Sequence, residues 1–451
     1  MPQGAQTRLT RAEVVRASAS MAGASALAAC GLPGSGSEAP DKGAAPVTIS
    51  WMTDWTGGPR GEATKLSIPA FEAQFPRIKV DMQATKPDTF EALSAHLAAG
   101  TLADALLFGS ALLSVWADGG ALMDIGPLLR KQRFDKESVW WDPEYFEYKG
   151  KTHGVPYQFT ISTWVYNKTW FQQDGVKPPA DAWTTDDLLD IARRLSHPGD
   201  NRWGVEMRSN VWFFWNFIWA NDVDFVTESA PVRTALDQPK QLEVLEYAIG
   251  LIHRHRVAPV REGANRVSGI SFENGNMAIS SENAAKKQWF DVKDKFEHDV
   301  LPTPRWATTK RRVTNWGHQG HMVTKAAEQR GRGDAATQFV AWMAGEGGQR
   351  FVAETGSATP VHKKTAYGPL YLDGKVPSLK LQLDMLERKP DQSARGPRLF
   401  KYYLEWSRAV TPILVQGFGG EVGVREMATQ ATRAGNAALD AAAAADGSKP
   451  K

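Results

Sequence analysis

Cysteine is nearly absent: Cys30 is the only one in 451 residues, so no internal disulfide can form. Charge of one sign is not in excess either. With 53 basic against 50 acidic side chains the formal net charge is +3, and no long basic run interleaved with aromatics occurs, which argues against a nucleic-acid partner. After the N-terminus no apolar run approaches the roughly 20 residues of a membrane-spanning helix, and tandem repeats are missing. Catalytic signatures are also lacking, with no G-x-S-x-G elbow and no Walker loop. Gly331-Arg332-Gly333-Asp334-Ala335-Ala336 has the G-x-G-x-x-A form, but it opens a surface helix well after its strand, so no dinucleotide site is read there. His318 and His321 have no HExxH or Cys companion, and a strand would turn them to opposite faces, so neither a metal nor any other cofactor is expected.

What the chain does have is an ordinary globular balance, 42% hydrophobic and 23% charged residues. Since one hydrophobic core stops growing beyond roughly 250–300 residues, the sequence predicts two lobes. Tryptophan is abundant, 17 against 9 tyrosines. Flat, rigid, amphipathic faces in that number exceed the needs of packing and suit a planar, weakly polar ligand such as a sugar ring.

The N-terminus reads as targeting rather than fold. Arg8, Arg11 and Arg16 precede the charge-free, alanine-rich stretch from Ala17 to Ala29, which is too short to span a bilayer. It closes in Leu27-Ala28-Ala29-Cys30, similar to a bacterial lipobox, in which the cysteine thiol takes a diacylglycerol before cleavage. Residues 1–29 are therefore expected to be a signal peptide and Cys30 the lipidated first residue of the mature chain, held on the extracytoplasmic face of the membrane. The segment from Leu9 to Arg16 resembles a twin-arginine signal with Ala12 in place of its second arginine, which leaves the export route open. Residues 30–46, rich in Gly, Pro, Ser and Ala, read as a tether.

Order begins with the alternating run Val47 to Trp51, followed by a helix bearing Ile68, Phe71 and Phe75 that Pro76 stops. Ile78 to Met82 alternates again. A helix carrying Phe90, Leu93 and Leu97 follows, with Asp88 and Glu91 as a capping pair and Gly100 as its stop. Ala105 to Phe108 is apolar throughout, as in strands buried on both faces, so the first lobe is expected to be a mainly parallel sheet covered by helices. Tyr148 to Tyr157 reads as a turn leading into the long apolar strand Thr163 to Lys168, where the chain leaves the first lobe. Further helices are expected from Thr184, from Leu242 to His253 and from Ala335 to Ala344.

This order of segments resembles the extracellular solute-binding proteins of the carbohydrate group, the relatives of maltose-binding protein. The matching pieces include Phe71-Glu72-Ala73-Gln74-Phe75-Pro76 before Ile78-Lys79-Val80, Ala117-Asp118-Gly119-Gly120-Ala121-Leu122, Gly154-Val155-Pro156-Tyr157 before Tyr166-Asn167-Lys168, Phe272-Glu273-Asn274-Gly275-Asn276-Met277, and Gly356-Ser357-Ala358-Thr359-Pro360. The resemblance implies an α/β fold of two periplasmic-binding-protein-like lobes, residues 47–157 plus 317–366 and residues 158–316 plus 367–451. It also implies hinge closure on a ligand, no catalytic step, and a monomer that hands a carbohydrate to the permease subunits of an ABC importer. Carried over position by position, its ligand contacts fall on Asp54, Trp55, Thr56, Ser110, Gln158, Thr160, Trp212, Trp215, Glu282, Asn283, Trp316, His318 and Trp406.

The chain departs from the family at three points. Ala103 replaces a proline before Asp104, Ser281-Glu282-Asn283 replaces a segment that ends in tryptophan, and Thr160 stands where a carboxylate is common. Trp212, Trp215 and Trp219, at i, i+3 and i+7, could equally be a core-facing stripe, and Trp183 and Trp342 read as core. A secreted polysaccharide-cleaving enzyme with a Trp-rich cleft, using Asp222, Asp224 or Glu282 as acid and base, is the alternative from another class, and a binding protein for a non-sugar solute is a second alternative. The sequence names neither the sugar nor the permease.

Overall fold

The alternating runs Val47–Thr53 and Ile78–Ala84 form strands β1 and β2, paired in parallel from Val47 opposite Ile78 to Thr53 opposite Ala84. The helix Gly58–Gln74 joins them, burying Phe71. After the helix Thr89–Ala98, strand β3, Ala105–Gly109, pairs with β1 on its other side, also in parallel, as a β-α-β-α order requires. This computed structural model describes residues 46–85, 89–109, 113–210, 213–228, 231–283, 292, 295–372, 379–387, 389–397 and 400–445.

A hairpin follows, β4 (Glu147–Tyr148) and β5 (Lys151–Thr152). Its turn residues Lys149 and Gly150 lie at φ 48° and 73°, the left-handed pair that matches strand twist. Strand β6 then runs unbroken from Gly154 to Asn167, so the segment read as turn and strand is one fourteen-residue crossing. Thr184 and Asp187 form a reciprocal capping box that opens the helix Thr185–Leu195. Beyond it come β7 (Trp203–Val205), the short helix Trp215–Ala220, the helix Pro239–His253, β8 (Met277–Asn283), β9 (His298–Leu301) and β10 (Arg312–Val323). The helices Gly333–Ala344 and Glu346–Thr355, β11 (Thr359–Pro360), β12 (Gln392–Arg395) and the helices Tyr403–Phe418 and Val424–Ala445 complete the described chain. None of the described helices is long and apolar enough to cross a membrane.

The sheet order is β2-β1-β3-β10-β6-β8-β7, with β12 on β10 and β9 and β11 on β6. β7 lies parallel to β8, whereas β10 is antiparallel to both β3 and β6. Thus β6 and β10 carry the chain between two α/β lobes, each with its own core. One core gathers Ile49, Trp51, Phe71, Val155, Val323 and Phe339, and the other Trp164, Phe217, Leu245, Val313, Trp406 and Val410. A third cluster, with Phe159, Ile161, Val165 and Trp316, covers the other face of the crossing.

The second lobe depends on one close approach. A Cβ on Gly204 of β7 would collide with the backbone of Ala192 in the helix Thr185–Leu195. Backbone cannot swing aside as a side-chain tip can, so Gly204→Ala is expected to cost about 1–3 kcal/mol of stability. Urea unfolding checks this, and an unchanged midpoint would mean that the helix shifts freely.

Candidate functional site

The register of β6 on β10 determines which residues lie between the lobes. Gln158 faces Gln319 and Thr160 faces Gly317, while on the other side of β6 Ser162 faces Asn283 of β8. An irregularity between Gln319 and Gly320 resets the alternation, so Val155 before it and Gln158, Thr160 and Ser162 after it turn to the same face. On that face Val155 and Val323 enter the first core, and Trp164 and Val313 the second. The positions between them are Gln158, Thr160 and Ser162 on β6 and Asn315, Gly317 and Gln319 on β10, a polar stripe forming a floor between two apolar bodies. Of the fourteen residues of β6, Thr160 alone is not buried.

At the first-lobe edge of the floor stands the loop after β1. The Trp55 ring lies 5.0 Å from that of Tyr157, and its Nε1 donates to Gln319 Oε1 at 3.3 Å, the same oxygen that accepts from Gln158 Nε2. Arg60 lies over the Trp55 ring at 5.0 Å. Burial pushes the Asp54 carboxyl above its usual range, against the opposing pull of its own backbone hydrogen bond and of Arg60. At the second-lobe edge Asn216 donates to Ser162 Oγ at 3.1 Å, and Ser162 shares a hydrogen bond of 2.7 Å with Ser281. Buried Glu206, just beyond β7, accepts from Ser280 at 2.9 Å and from Arg208 Nε at 2.7 Å, with Arg261 at 3.4 Å, and the Arg208 guanidinium lies over Phe213. Among the described residues, Asp54 Oδ1, Gln158 Oε1, Asn216 Oδ1 and Trp215 Nε1 are buried without hydrogen-bond partners. Such groups fit a ligand that both donates and accepts.

The residues singled out in the sequence distribute unevenly. Asp54, Trp55, Gln158 and Thr160 come together on the floor or at its edge, and Thr56 is exposed in the same loop. Trp55 itself is fully buried, so it braces the floor rather than offering a bare face. Trp215 packs at 4.1 Å from Phe225 beside Asn216. The backbones of Glu282 and Asn283 pair with Thr163 and Ser162, and that of His318 with Phe159. Cys30, Ser110 and Trp212 lie outside the described residues.

Two tryptophans stand apart from the floor. Trp316, in register with Ile161, points by strand alternation to the opposite face, where it meets Phe159. Trp406 is sealed in the second core with its Nε1 on Thr234 Oγ1 at 2.9 Å. Trp183, read as core, is buried with its Nε1 on the Pro302 carbonyl, and Trp342 packs against the first core with its Nε1 on Gln74. His321 is enclosed by Trp51, Tyr157 and Phe339, and burial pushes its pKa down to about 3. It is therefore a neutral core residue.

The sequence reading missed several site features. Arg60 follows the Asp54 loop directly, and Ser162 continues the alternation of Gln158 and Thr160, so both carry a local signal. Gln319, Asn216 and Arg208 become neighbours of the floor only through pairing and packing. Two of the three carboxylates offered for cleavage are tied up in pairs and hydrogen bonds of their own. Asp222 pairs with Arg311, and Asp224 accepts from Trp219 Nε1 at 3.2 Å, from the Phe225 amide at 2.8 Å and from Arg395 at 2.7 Å.

The sequence pattern of the bacterial extracellular solute-binding protein family matches residues 55–350. A binding protein of Brucella abortus is 25% identical over 212 residues, 45% of this chain and 48% of that protein. The mannitol-binding protein of Pseudomonas aeruginosa is 23% identical over 258 residues, 53% of this chain and 56% of its own length. The chain thus spans about half the length of the curated relatives it matches. Among solved structures, an ABC substrate-binding protein from Listeria monocytogenes in complex with cycloalternan superposes with a TM-score of 0.74, covering 90% of this chain and 100% of that one at 20% identity.

Proposed function

Because the chain belongs to the family of bacterial extracellular solute-binding proteins, we propose that it captures a sugar or oligosaccharide between its two lobes and presents it to an ABC importer. The observation that carries this reading is the floor itself: a stripe of amide and hydroxyl side chains between two separate cores, opened to solvent at Thr160. The guanidiniums beside the floor are engaged by carboxylates, Arg395 by Asp224 and both Arg208 and Arg261 by Glu206, while Arg60 lies within electrostatic reach of Asp54. Hydroxyls, which donate and accept, match such a rim, and an uncharged polyol or sugar is the class that presents them. The mannitol specificity in one relative's name and the cycloalternan in the Listeria complex support the same class. The family binds solutes rather than transforming them, and the engagement of Asp222 and Asp224 agrees with that.

In this reading the lobes comprise residues 47–157 plus 317–366 and residues 158–316 plus 367–451, and their hinge closes when the solute touches both. Of the carried-over contacts, Asp54, Thr56, Gln158, Thr160 and Trp215, with Ser110, Trp212, Glu282, Asn283 and His318, remain in the proposed site. The working unit is a monomer. The test is intrinsic fluorescence and thermal unfolding of the purified protein titrated with mannitol, maltose, maltotriose and mannotriose, with polyamines and peptides as non-sugar comparators. A saturable shift and a raised melting temperature with the sugar recovered intact are expected. Cleaved sugar would establish an enzyme, and a response to the comparators alone would overturn the carbohydrate assignment.

Cys30 is the proposed membrane anchor, on the strength of the basic flank, the short apolar stretch and the small residues before it. Cys30→Ser expressed in a bacterium is expected to move the protein from the detergent phase to the aqueous phase in a cloud-point partition, because the acyl chains that hold it are never attached. Unchanged partitioning would sink the anchor.

A further inference from the structure

We propose that Arg395 is a further ligand-contacting residue, a preorganised hydrogen-bond donor to the hydroxyl or ring oxygens of a neutral sugar, with Asp224 as its positioning residue. The inference rests on the carbohydrate reading above and adds to it a residue that neither the sequence reading nor the resemblance identified.

Arg395 ends β12 in register with Asn315, two residues along β10 from Gly317, the partner of Thr160. It therefore lies alongside the floor, with its own side chain partly exposed. Its backbone is fixed from the far side, because any side chain on Gly396 would collide with the Tyr145 hydroxyl and the Trp316 carbonyl, and Tyr145 OH donates to the Pro397 carbonyl at 3.3 Å. From the second lobe the guanidinium is fixed twice. It lies 4.9 Å from the Trp219 ring, and its Nη2 donates to Asp224 Oδ2 at 2.7 Å.

Asp224 is only 9% exposed, and its other oxygen accepts from Trp219 and from Phe225 N, so the carboxylate has little capacity left for a ligand. The guanidinium is the reverse. It is 39% exposed and has five N–H groups, of which the carboxylate takes one. A flat, charge-compensated donor held on an indole at the floor's edge is placed to meet acceptor oxygens without attracting anions, and its planar fork loses little freedom on binding. The buried oxygens without partners, Asp54 Oδ1, Gln158 Oε1 and Asn216 Oδ1, complement it as acceptors for the hydroxyl protons of the same ligand.

The test is titration calorimetry of the native protein, Arg395→Met, Asp224→Asn and the double variant against mannitol, maltose, maltotriose and mannotriose, with melting temperatures recorded in parallel. Methionine keeps an apolar stem on Trp219. For the sugar bound most tightly, Arg395→Met is expected to weaken affinity roughly tenfold to a hundredfold, the usual weight of hydrogen bonds to a charged group. Asp224→Asn should lose less, and the double variant no more than Arg395→Met alone, because the carboxylate acts through the guanidinium. A merely structural tie would instead lower the melting temperature and leave the affinity unchanged, which overturns the proposal. Should Arg395→Met fail to fold, Arg395→Lys keeps the charge and loses the planar fork, and native affinity in that variant would overturn the proposal equally. Silence of the native protein toward all four sugars would instead defeat the carbohydrate reading, and this assignment with it.

Discussion

A Thr160→Trp protein is expected to lose more than a hundredfold in affinity for whichever sugar the native protein binds, while melting within a few degrees of it. The argument combines strand geometry with burial. The Thr160 backbone is paired with Gly317, and that pairing does not depend on the side chain. Its side chain faces the stripe between the two cores, at the one position of β6 that is not buried. An indole there would fill the floor with a ring system of the size a sugar needs, since a tryptophan covers about 150–250 Å². Tryptophan is also a favourable strand residue, so the fold should lose little. A hundredfold loss is about 2.7 kcal/mol of binding free energy, far beyond the roughly 0.5 kcal/mol typical of surface exchanges. Calorimetry with Thr160→Ser as the conservative control checks the result. Native affinity in Thr160→Trp would remove Thr160 from the site and with it the floor as the binding surface.

How far the sequence discloses this molecule depends on the range over which each feature is encoded. The helices and the parallel set β1, β2 and β3 follow from local periodicity and stops, because an amphipathic pattern needs only its own neighbours. The capping at Thr184 is equally local. Resemblance points to Thr160, and the alternation of Gln158, Thr160 and Ser162 with Phe159 and Ile161 is a local signal for the same face. Trp316 shows the limit. Tryptophan is a reasonable sugar platform, yet one residue of strand register decides between floor and underside, and that register is set by β6, some 150 residues away. Trp406 fails for a related reason: its helix turns it onto Thr234, far off in the chain, and no nearby residue announces that. Arg395 and Asp224, 171 positions apart, likewise become neighbours only once β12 is laid beside β10.

The same long-range logic governs the largest expected effect on stability. Asp104→Asn is expected to cost about 3 kcal/mol at neutral pH, within the range for breaking a buried ion pair. Asp104 is fully buried at the mouth of β3. Its Oδ2 accepts from the Ser50 amide at 2.8 Å, from the Ser50 hydroxyl at 3.1 Å and from Arg332 at 3.2 Å, while Oδ1 accepts from Arg330 at 3.0 Å. The carboxylate thus ties β1 to the turn before the helix Gly333–Ala344, and the glycine-flanked Arg332 of the G-x-G-x-x-A segment finds its structural use there. Burial raises the pKa, but the hydrogen bonds from Ser50, Arg330 and Arg332 outweigh it and hold the group below the ordinary carboxylate value of 3.8. The sign of the pH dependence follows. A depressed folded-state pKa gives stability that is fully present above the unfolded value and is lost as pH falls through the folded one. The stability gap between the native protein and Asp104→Asn should therefore be constant from neutral pH down to about 4 and shrink below it. The two guanidinium groups, each more than a third exposed, can be hydrated once the carboxylate is gone, which keeps the loss toward the lower end of the range. Urea unfolding of both proteins at neutral pH and near pH 3 measures the gap. A gap that is small at neutral pH, or that widens in acid, would mean that Asp104 is held as a neutral group and that the tie between β1 and the Arg330–Arg332 turn contributes little.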